Sequence, residues 1–245
     1  MKELQHLLSF ARRAVDDYRM IEDGDRIAVG VSGGKDSLAL LTTLAELRRF
    51  YPKSYDLVAV TVDMGLEGMD FTPVAAYCQQ LGISYIRTET EIAKVIFDVR
   101  KESNPCSLCA KMRRGALHQA AVEAGCNKVA LGHHFDDAVE TFMLNLFFEG
   151  RLGCFSPTTY LSNRDIHLIR PLIYAQEKDV AYFVRHADLP IVTSTCPEDH
   201  ATERENMKKL LREWESNNKG LRHRIFSAMC RAELDGYRPT KNTPR

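Results

Sequence analysis

Apolar positions recur along this chain in two periods, and the alternation between those periods lays out a fold. Residues 3 to about 20 place Leu4, Leu7, Leu8, Ala11 and Val15 on one side of an amphipathic helix. Residues 27–31 form a short apolar, partly β-branched run, the form of a strand buried on both faces. Helical spacing returns from Ser37 with Leu38, Leu41 and Leu44, and stops near Phe50 ahead of Pro52. The same reading predicts strands at 56–62, 83–87, 128–131 and 166–169. It predicts helices at 72–81, with Pro73 in the first turn, and at 92–101, 111–124, 138–148, 177–187, 202–216 and 221–233. Thr202-x-x-Glu205 reads as the capping box that opens the helix after residue 200. Residues 149–164 read as a polar loop, 189–192 as extended, and Ser194-Thr-Cys-Pro197 as a break.

Strand alternating with helix predicts an α/β fold, a doubly wound parallel sheet covered on both faces. The expected organisation is one domain over residues 1–200, carrying the N-terminal helix, with a helical C-terminal appendage and polar tail over 201–245. Ligands of such sheets sit beyond the C-terminal strand ends. Ser32, Asp63, Gly132 and Arg170 each follow a predicted strand, so they should line one rim.

Composition narrows the class. Hydrophobic content of 44% and charged content of 27% are those of an ordinary globular protein. No apolar run reaches about 18 residues, and Met1-Lys-Glu-Leu-Gln-His lacks a signal-peptide core, so a cytoplasmic protein is expected. Seven cysteines without an export signal favour free thiols, redox work or metal ligation over a disulfide framework. The formal net charge is zero, yet residues 204–245 hold eleven Lys and Arg against five Asp and Glu. A basic end of that kind suits an RNA partner, and equally a solvated helix face.

Between the first strand and its helix lies Ser32-Gly33-Gly34-Lys35-Asp36-Ser37. Two glycines and small polar residues at a strand-to-helix junction aim backbone N–H groups and a helix dipole at one spot, which suits a phosphate. The spacing fits neither the Walker A pattern nor the Gly-x-Gly-x-x-Gly dinucleotide fingerprint. The Ser-Gly-Gly-x-Asp-Ser run resembles the pyrophosphate loop of the N-type ATP pyrophosphatases, which cleave ATP between its α and β phosphates and pass AMP to a carbonyl oxygen. An ordinary capped turn is the plain alternative.

Cys106-x-x-Cys109 is the second constellation. A zinc ribbon would need a second such pair, and a thioredoxin-like site a smaller fold. Cys196, beside Pro197, adds a third thiol from far along the chain, and three thiolates match the count for an iron–sulfur cluster with one open iron. From the residues alone, cluster, zinc and structural cysteines all stay open. The loop is followed in order by Pro105-Cys-Ser-Leu-Cys-Ala-Lys-Met-Arg-Arg-Gly115, Leu131-Gly-His-His-Phe-Asp-Asp137 with Glu140-Thr141, and Ile169-Arg-Pro-Leu172 with Glu177-Lys-Asp179. Together these resemble the tRNA 2-thiocytidine biosynthesis family, the cluster-dependent branch of the tRNA 2-thiolation enzymes, over residues 27–196.

The resemblance implies a cytoplasmic homodimer that uses ATP, Mg2+ and a 4Fe-4S cluster to replace the C2 oxygen of a tRNA cytidine with sulfur. The sulfur would come from a cysteine desulfurase or inorganic sulfide. It places the cluster on Cys106, Cys109 and Cys196. Ser194-Thr-Cys-Pro-Glu-Asp199 departs from the family pattern residue for residue, which makes Cys154 the alternative third ligand. Cys78, Cys126, Cys154 and Cys230 otherwise read as small buried hydrophobes.

Ser32, Gly33, Gly34, Asp36, Ser37, Asp63, Gly132 and His133 are the expected nucleotide-binding residues, with Asp63 edging the adenosine. Asp36 and Asp137 are expected to act with Mg2+, since a carboxylate in a phosphate loop repels ATP unless it holds a cation. Asp136 and Asp137 equally suit a helix cap. Of His133 and His134, one is expected to be merely packed. Lys111, Arg113 and Arg114 follow the thiol pair, where positive charge stabilises thiolate, pyrophosphate or RNA phosphate, with Lys111 and Arg114 taken as catalytic. Competing readings are a lysidine-type or amidating ATP pyrophosphatase with zinc or nothing at the cysteines, a uridine thiolase or desulfurising relative, and a non-enzymatic nucleotide or redox sensor.

Overall fold

Successive side chains of a strand point to opposite faces, and the two middle strands divide the core accordingly. From Asp25–Gly30 (β1) and Tyr55–Asp63 (β2), Ile27, Val29, Leu57 and Ala59 enter the larger core, while Ala28, Val58 and Val60 enter a smaller one. The structure, a computed structural model, describes residues 2–100, 105–198 and 203–238. The other strands are Ser84–Glu89 (β3), Lys128–Ala130 (β4), Thr158–Leu161 (β5) and Ile166–Ile169 (β6). They form one six-stranded sheet in the order β3-β2-β1-β4-β6-β5, parallel except at β5, which pairs antiparallel with β6. The chain runs outward from β1 through β2 to β3, then returns to the other side of β1 as β4. That reversal creates a crevice between the C-terminal ends of β1 and β4.

Eight α-helices cover the sheet among the described residues: Lys2–Asp17 (α1), Lys35–Leu47 (α2), Thr72–Gln80 (α3), Pro105–Glu123 (α4), Phe135–Phe148 (α5), Glu177–His186 (α6), Glu203–Asn217 (α7) and Leu221–Arg231 (α8). α4 packs Leu117, Ala120 and Ala121 on the smaller core with Val129, Ile166 and Leu168. The larger core takes Leu7, Ala11 and Val15 of α1, Leu38, Leu41 and Leu44 of α2, Val180 and Phe183 of α6, and Met207, Leu211, Phe226 and Met229 of α7 and α8. None of the described helices is long and apolar enough to cross a membrane.

The α/β class and the position of the rim follow the expectation, and three local features differ. Residues 149–164 are not all loop. Four of them, β5, form an edge strand whose short, half-polar sequence carries too little alternation to stand out, and Tyr160 on it is exposed. α4 starts at Pro105 rather than near 111, because Pro at a first helical position is preorganised for the turn; the thiol pair therefore lies in the first turn. The segment expected at 92–101 winds as a wider π-type helix over Lys94–Arg100, with residue 101 outside the described residues. The proposed cap at Thr202 also lies outside them.

The last helix is seated by an aromatic cluster. Phe226 stacks at 4.8 Å from Phe135 at the start of α5, 5.5 Å from Tyr237 and 6.2 Å from Tyr174, and is almost fully buried. Phe226→Ala leaves a cavity there and is expected to lower stability by about 3 kcal/mol, read as a drop in the urea midpoint. A change below about 1 kcal/mol would show that α8 is not seated by this cluster.

Candidate functional site

Two of the helices that start at this rim, α5 and α6, are closed by side chains. At α5, His134 Nδ1 accepts from the Asp137 amide (3.4 Å) and Asp137 Oδ2 accepts from the His134 amide (2.9 Å), a reciprocal cap. At α6, Asp179 Oδ2 accepts from the Gln176 amide (3.3 Å) and Asp136 Oδ2 from the Glu177 amide (2.7 Å). α2 starts after Gly34, which has no side chain to cap it. Its first amides are left for an external acceptor, with the positive end of the helix dipole behind them.

The loop ahead of α2 is held rigid. Ser37 Oγ donates to Gly34 O (2.8 Å) and accepts from the Ser32 amide (3.2 Å), and Ser32 Oγ accepts from the Gly34 amide (3.3 Å). Gly33 has φ +84°, and a Cβ there would lie 2.8 Å from Val192 Cβ, so both conformation and space require glycine. Val192 N donates to Gly33 O at 3.0 Å, tying residues 189–192 to the loop. Gly132, leaving β4, lies so close that a Cβ would be 3.1 Å from the Asp36 carbonyl. Glycine in both places lets three backbones meet.

Charge around the opening is arranged in pairs. Lys35 Nζ contacts Asp36 Oδ1 at 2.8 Å and Glu177 Oε1 at 3.3 Å. Burial works against the Lys35 charge, but Asp36 and Glu177 outweigh it and hold the pKa above the ordinary lysine value. Lys208 of α7 reaches Glu177 Oε1 at 3.0 Å. Burial pushes Glu177 upward, yet Lys208 and Lys35 outweigh it and bring it down to about 2. Arg222 of α8 bonds Asp136, and Arg204 of α7 lies 3.4 Å from Asp137 Oδ1 and 3.7 Å from Glu140 Oε2. Part of the basic C-terminal excess is thus spent inward on this acidic cluster. Glu140 is 0% exposed with neither carboxylate oxygen hydrogen-bonded, and burial pushes it up to about 8.

The thiols gather at the same rim. Cys106 and Cys109, three apart on α4, share a helix face; Cys106 is exposed and Cys109 half-buried, with Cys109 Sγ 3.5 Å from Met64 Sδ just beyond β2. Cys196 is carried there by its neighbours, since Thr195 Oγ1 donates to Glu67 O (2.9 Å) in the loop after β2. Burial raises the Cys109 pKa, Arg113 lowers it, and the charges of Cys196 and Cys106 raise it further, so the three thiols lie within electrostatic range of one another. Among the described residues no three His, Cys, Asp or Glu side chains converge as ligands of one ion would. Two thiols in the first turn of α4 and a third from a remote segment give the three-thiolate donor set that a polynuclear iron–sulfur cluster takes, each on a separate iron. Cys154 is elsewhere, donating to Ala138 O (3.4 Å) and pushed up to about 11 by burial.

Other expected residues take varied places. Asp63 turns away from the loop: Oδ1 accepts from the Gly65 amide (2.9 Å) and Oδ2 from Arg87 Nε (3.0 Å). His133 packs on Phe155 (4.9 Å) with Nδ1 unpartnered, and burial, aided by Arg170, brings it down to about 4, so the ring is neutral. His134 is the more deeply buried of the pair, with Nε2 3.9 Å from Asp36 Oδ1. Lys111 and Arg114 are exposed on α4, where Arg114 donates to Ala110 O; burial, with a smaller contribution from the Arg114 charge, brings the Arg170 pKa down to about 10. Lys35, Arg204, Lys208 and Arg222 were not picked out from the sequence. No local pattern links Arg222 to Asp136. Glu140 stands in the sequence as part of the Glu140-Thr141 motif and as a lone charge in the apolar stretch of α5.

Residues 6–214 match the PP-loop domain family. The chain is 43% identical to the tRNA-cytidine(32) 2-sulfurtransferase of Geobacter sulfurreducens over 89% of its length and 86% of that protein. It is 37% identical to the same enzyme of Methylobacillus flagellatus, over 95% of its length and 78% of that protein. It also resembles the solved U34-tRNA thiolase NcsA of Methanococcus maripaludis with its [4Fe-4S] cluster, with TM-score 0.76 and 25% identity over 96% of this chain and 84% of that one.

Two outcomes follow from this geometry. Gly33→Ala sets a methyl group against Val192 in a left-handed backbone and should weaken ATP binding about tenfold or more, measured by titration calorimetry; wild-type affinity would show that the loop tolerates displacement. Glu140 keeps a proton in the folded protein that the unfolded chain, with the ordinary value of 4.5, has lost. Its contribution to stability is therefore complete below about pH 4.5 and fades as pH rises to about 8. Glu140→Gln should remove that decline, so that between about pH 5 and 8 the wild-type urea midpoint falls relative to the variant. Parallel curves would show that Glu140 is ionised throughout.

Proposed function

Because the chain belongs to the PP-loop domain family and, within it, to the tRNA-cytidine 2-sulfurtransferases, we propose that it adenylates the C2 carbonyl of a tRNA cytidine with ATP and replaces that oxygen with sulfur. The observation that carries the reading is the meeting, at one rim, of an uncapped helix N-terminus and three thiols drawn from distant parts of the chain. The cytidine at position 32, for which the relatives are named, is the base we assign.

Mg-ATP sits with its phosphates over the open end of α2. Backbone amides of the Ser32–Ser37 loop and Lys35 face the departing pyrophosphate, where they stabilise charge that grows as the bond breaks. Asp36, about a third exposed, is the carboxylate available to the cation, with Asp137 behind it across His134. The C2 oxygen attacks the α-phosphorus and pyrophosphate leaves. An amide-like carbonyl is unreactive, and AMP makes its oxygen a leaving group; sulfur then adds at C2 and AMP departs. Cys106, Cys109 and Cys196 would hold the [4Fe-4S] cluster, which would supply Lewis-acidic iron to carry the sulfur. Lys111 and Arg114 extend positive charge from the thiols along α4 toward the RNA phosphates. Gly132 and His133 wall the nucleotide side, with the neutral imidazole adding no charge there. A homodimer working in the cytoplasm, supplied with sulfur by a cysteine desulfurase or inorganic sulfide, completes the reading.

The test is anaerobic purification of wild type and Cys196→Ala, with iron and sulfide analysis, a visible spectrum, and nucleoside analysis of tRNA after incubation with Mg-ATP and sulfide. About four irons per chain in the wild type, loss of the broad absorbance in the variant, and 2-thiocytidine formed only by the wild type are the expected results. A colourless wild-type protein with stoichiometric zinc would overturn the cluster assignment. 2-Thiouridine as product would move the substrate to uridine.

A further inference from the structure

The ion pairs around Lys35 form a chain of alternating charge that runs from the loop out to a helix far along the sequence. Asp36 and Glu177 both contact Lys35 Nζ, and Glu177 Oε1 is shared with Lys208 Nζ of α7 at 3.0 Å. The main chain at Glu177 is held in place, because its backbone amide donates to Asp136 Oδ2. Lys208 is similarly constrained: it is largely buried, and its other carboxylate neighbour is Glu205 at 3.9 Å. Glu177 is thus a fixed anion between two cations, one of which borders the open N-terminus of α2.

A lysine that serves an incoming phosphate must first leave its carboxylates. How firmly Glu177 retains Lys35, and how strongly it repels phosphate, depends on whether its charge is balanced from the other side. We propose that Lys208 is a positioning residue for nucleotide binding, neutralising Glu177 so that Lys35 can turn to the phosphates of ATP. This rests on the reading that the Ser32–Ser37 loop holds Mg-ATP. The helix α7 then helps set nucleotide affinity without touching the nucleotide.

The experiment is a double-mutant cycle on the holoenzyme, with Mg-ATP affinity measured by calorimetry alongside KM and kcat for pyrophosphate release. Lys208→Met should weaken Mg-ATP binding and raise KM about tenfold while kcat is nearly kept, and Lys208→Arg should restore affinity. Once Glu177 is uncharged, Lys208 should cease to matter, so Glu177→Gln and Glu177→Gln/Lys208→Met should bind Mg-ATP equally well. Unchanged affinity in Lys208→Met, a double variant as weak as that single, or unfolding of Lys208→Met would overturn the proposal by leaving Lys208 a packing residue. Failure of the wild type to bind Mg-ATP would instead sink the functional reading.

Discussion

The whole rim depends on backbones approaching one another with no side chain between them. Gly33 lies against Val192 and Gly132 against the Asp36 carbonyl, so the loop is clamped between the segment after α6 and the turn after β4. Clamping fixes the direction of the first α2 amides, and fixed dipoles stabilise charge without reorganising when it appears. At the rim α5 is closed by a reciprocal side-chain cap and α6 by the carboxylates of Asp179 and Asp136, whereas the first amides of α2 have no side-chain cap and stay open to an anion. Selectivity for a phosphate therefore begins with which helix was left uncapped.

The second organising feature is the inward turn of basic side chains from α7 and α8. Arg204, Lys208 and Arg222 meet Asp137, Glu177 and Asp136 where these carboxylates would otherwise crowd the opening. Pairs so poorly exposed gain little net stability, because desolvation offsets the attraction, but each fixes one geometry. Burial of Met207, Leu211, Phe226 and Met229 supplies the adhesion, and the ion pairs supply the register. Glu140, left without a hydrogen bond beneath them, is pushed by its burial toward neutrality.

Much of this was legible in the chain. The strands at 27–31 and 56–62 and the helices of the α/β layer were carried by unmistakable periods, and the loop by its glycines. What escaped was either short or non-local. β5 has four residues and an exposed tyrosine, and it is a strand only because β6 lies beside it. The thiol pair fell ahead of the helix expected at 111–124, because Pro105 opens the first turn of α4 and no apolar period marks that turn. The tilt of Asp63 toward Arg87 depends on β3 pairing with β2 in register, with Thr61 opposite Arg87, which no single segment encodes. The partners of the acidic rim come from beyond residue 200, where helical periodicity gives a face but not what it meets.

The order of the cysteines along the chain has a consequence for how such a protein is assembled. Cys106 and Cys109 leave the ribosome together, on a helix that packs on strands already made. Cys196 follows only after β4, α5, β6 and α6, and it reaches the others through a segment anchored on Gly33 and Glu67. A cluster held by all three thiols, as we propose, would be loaded into a nearly finished fold, with two thiols alone offering only a provisional berth. The segment that brings the third thiol is the one whose backbone bond to Gly33 also steadies the phosphate loop.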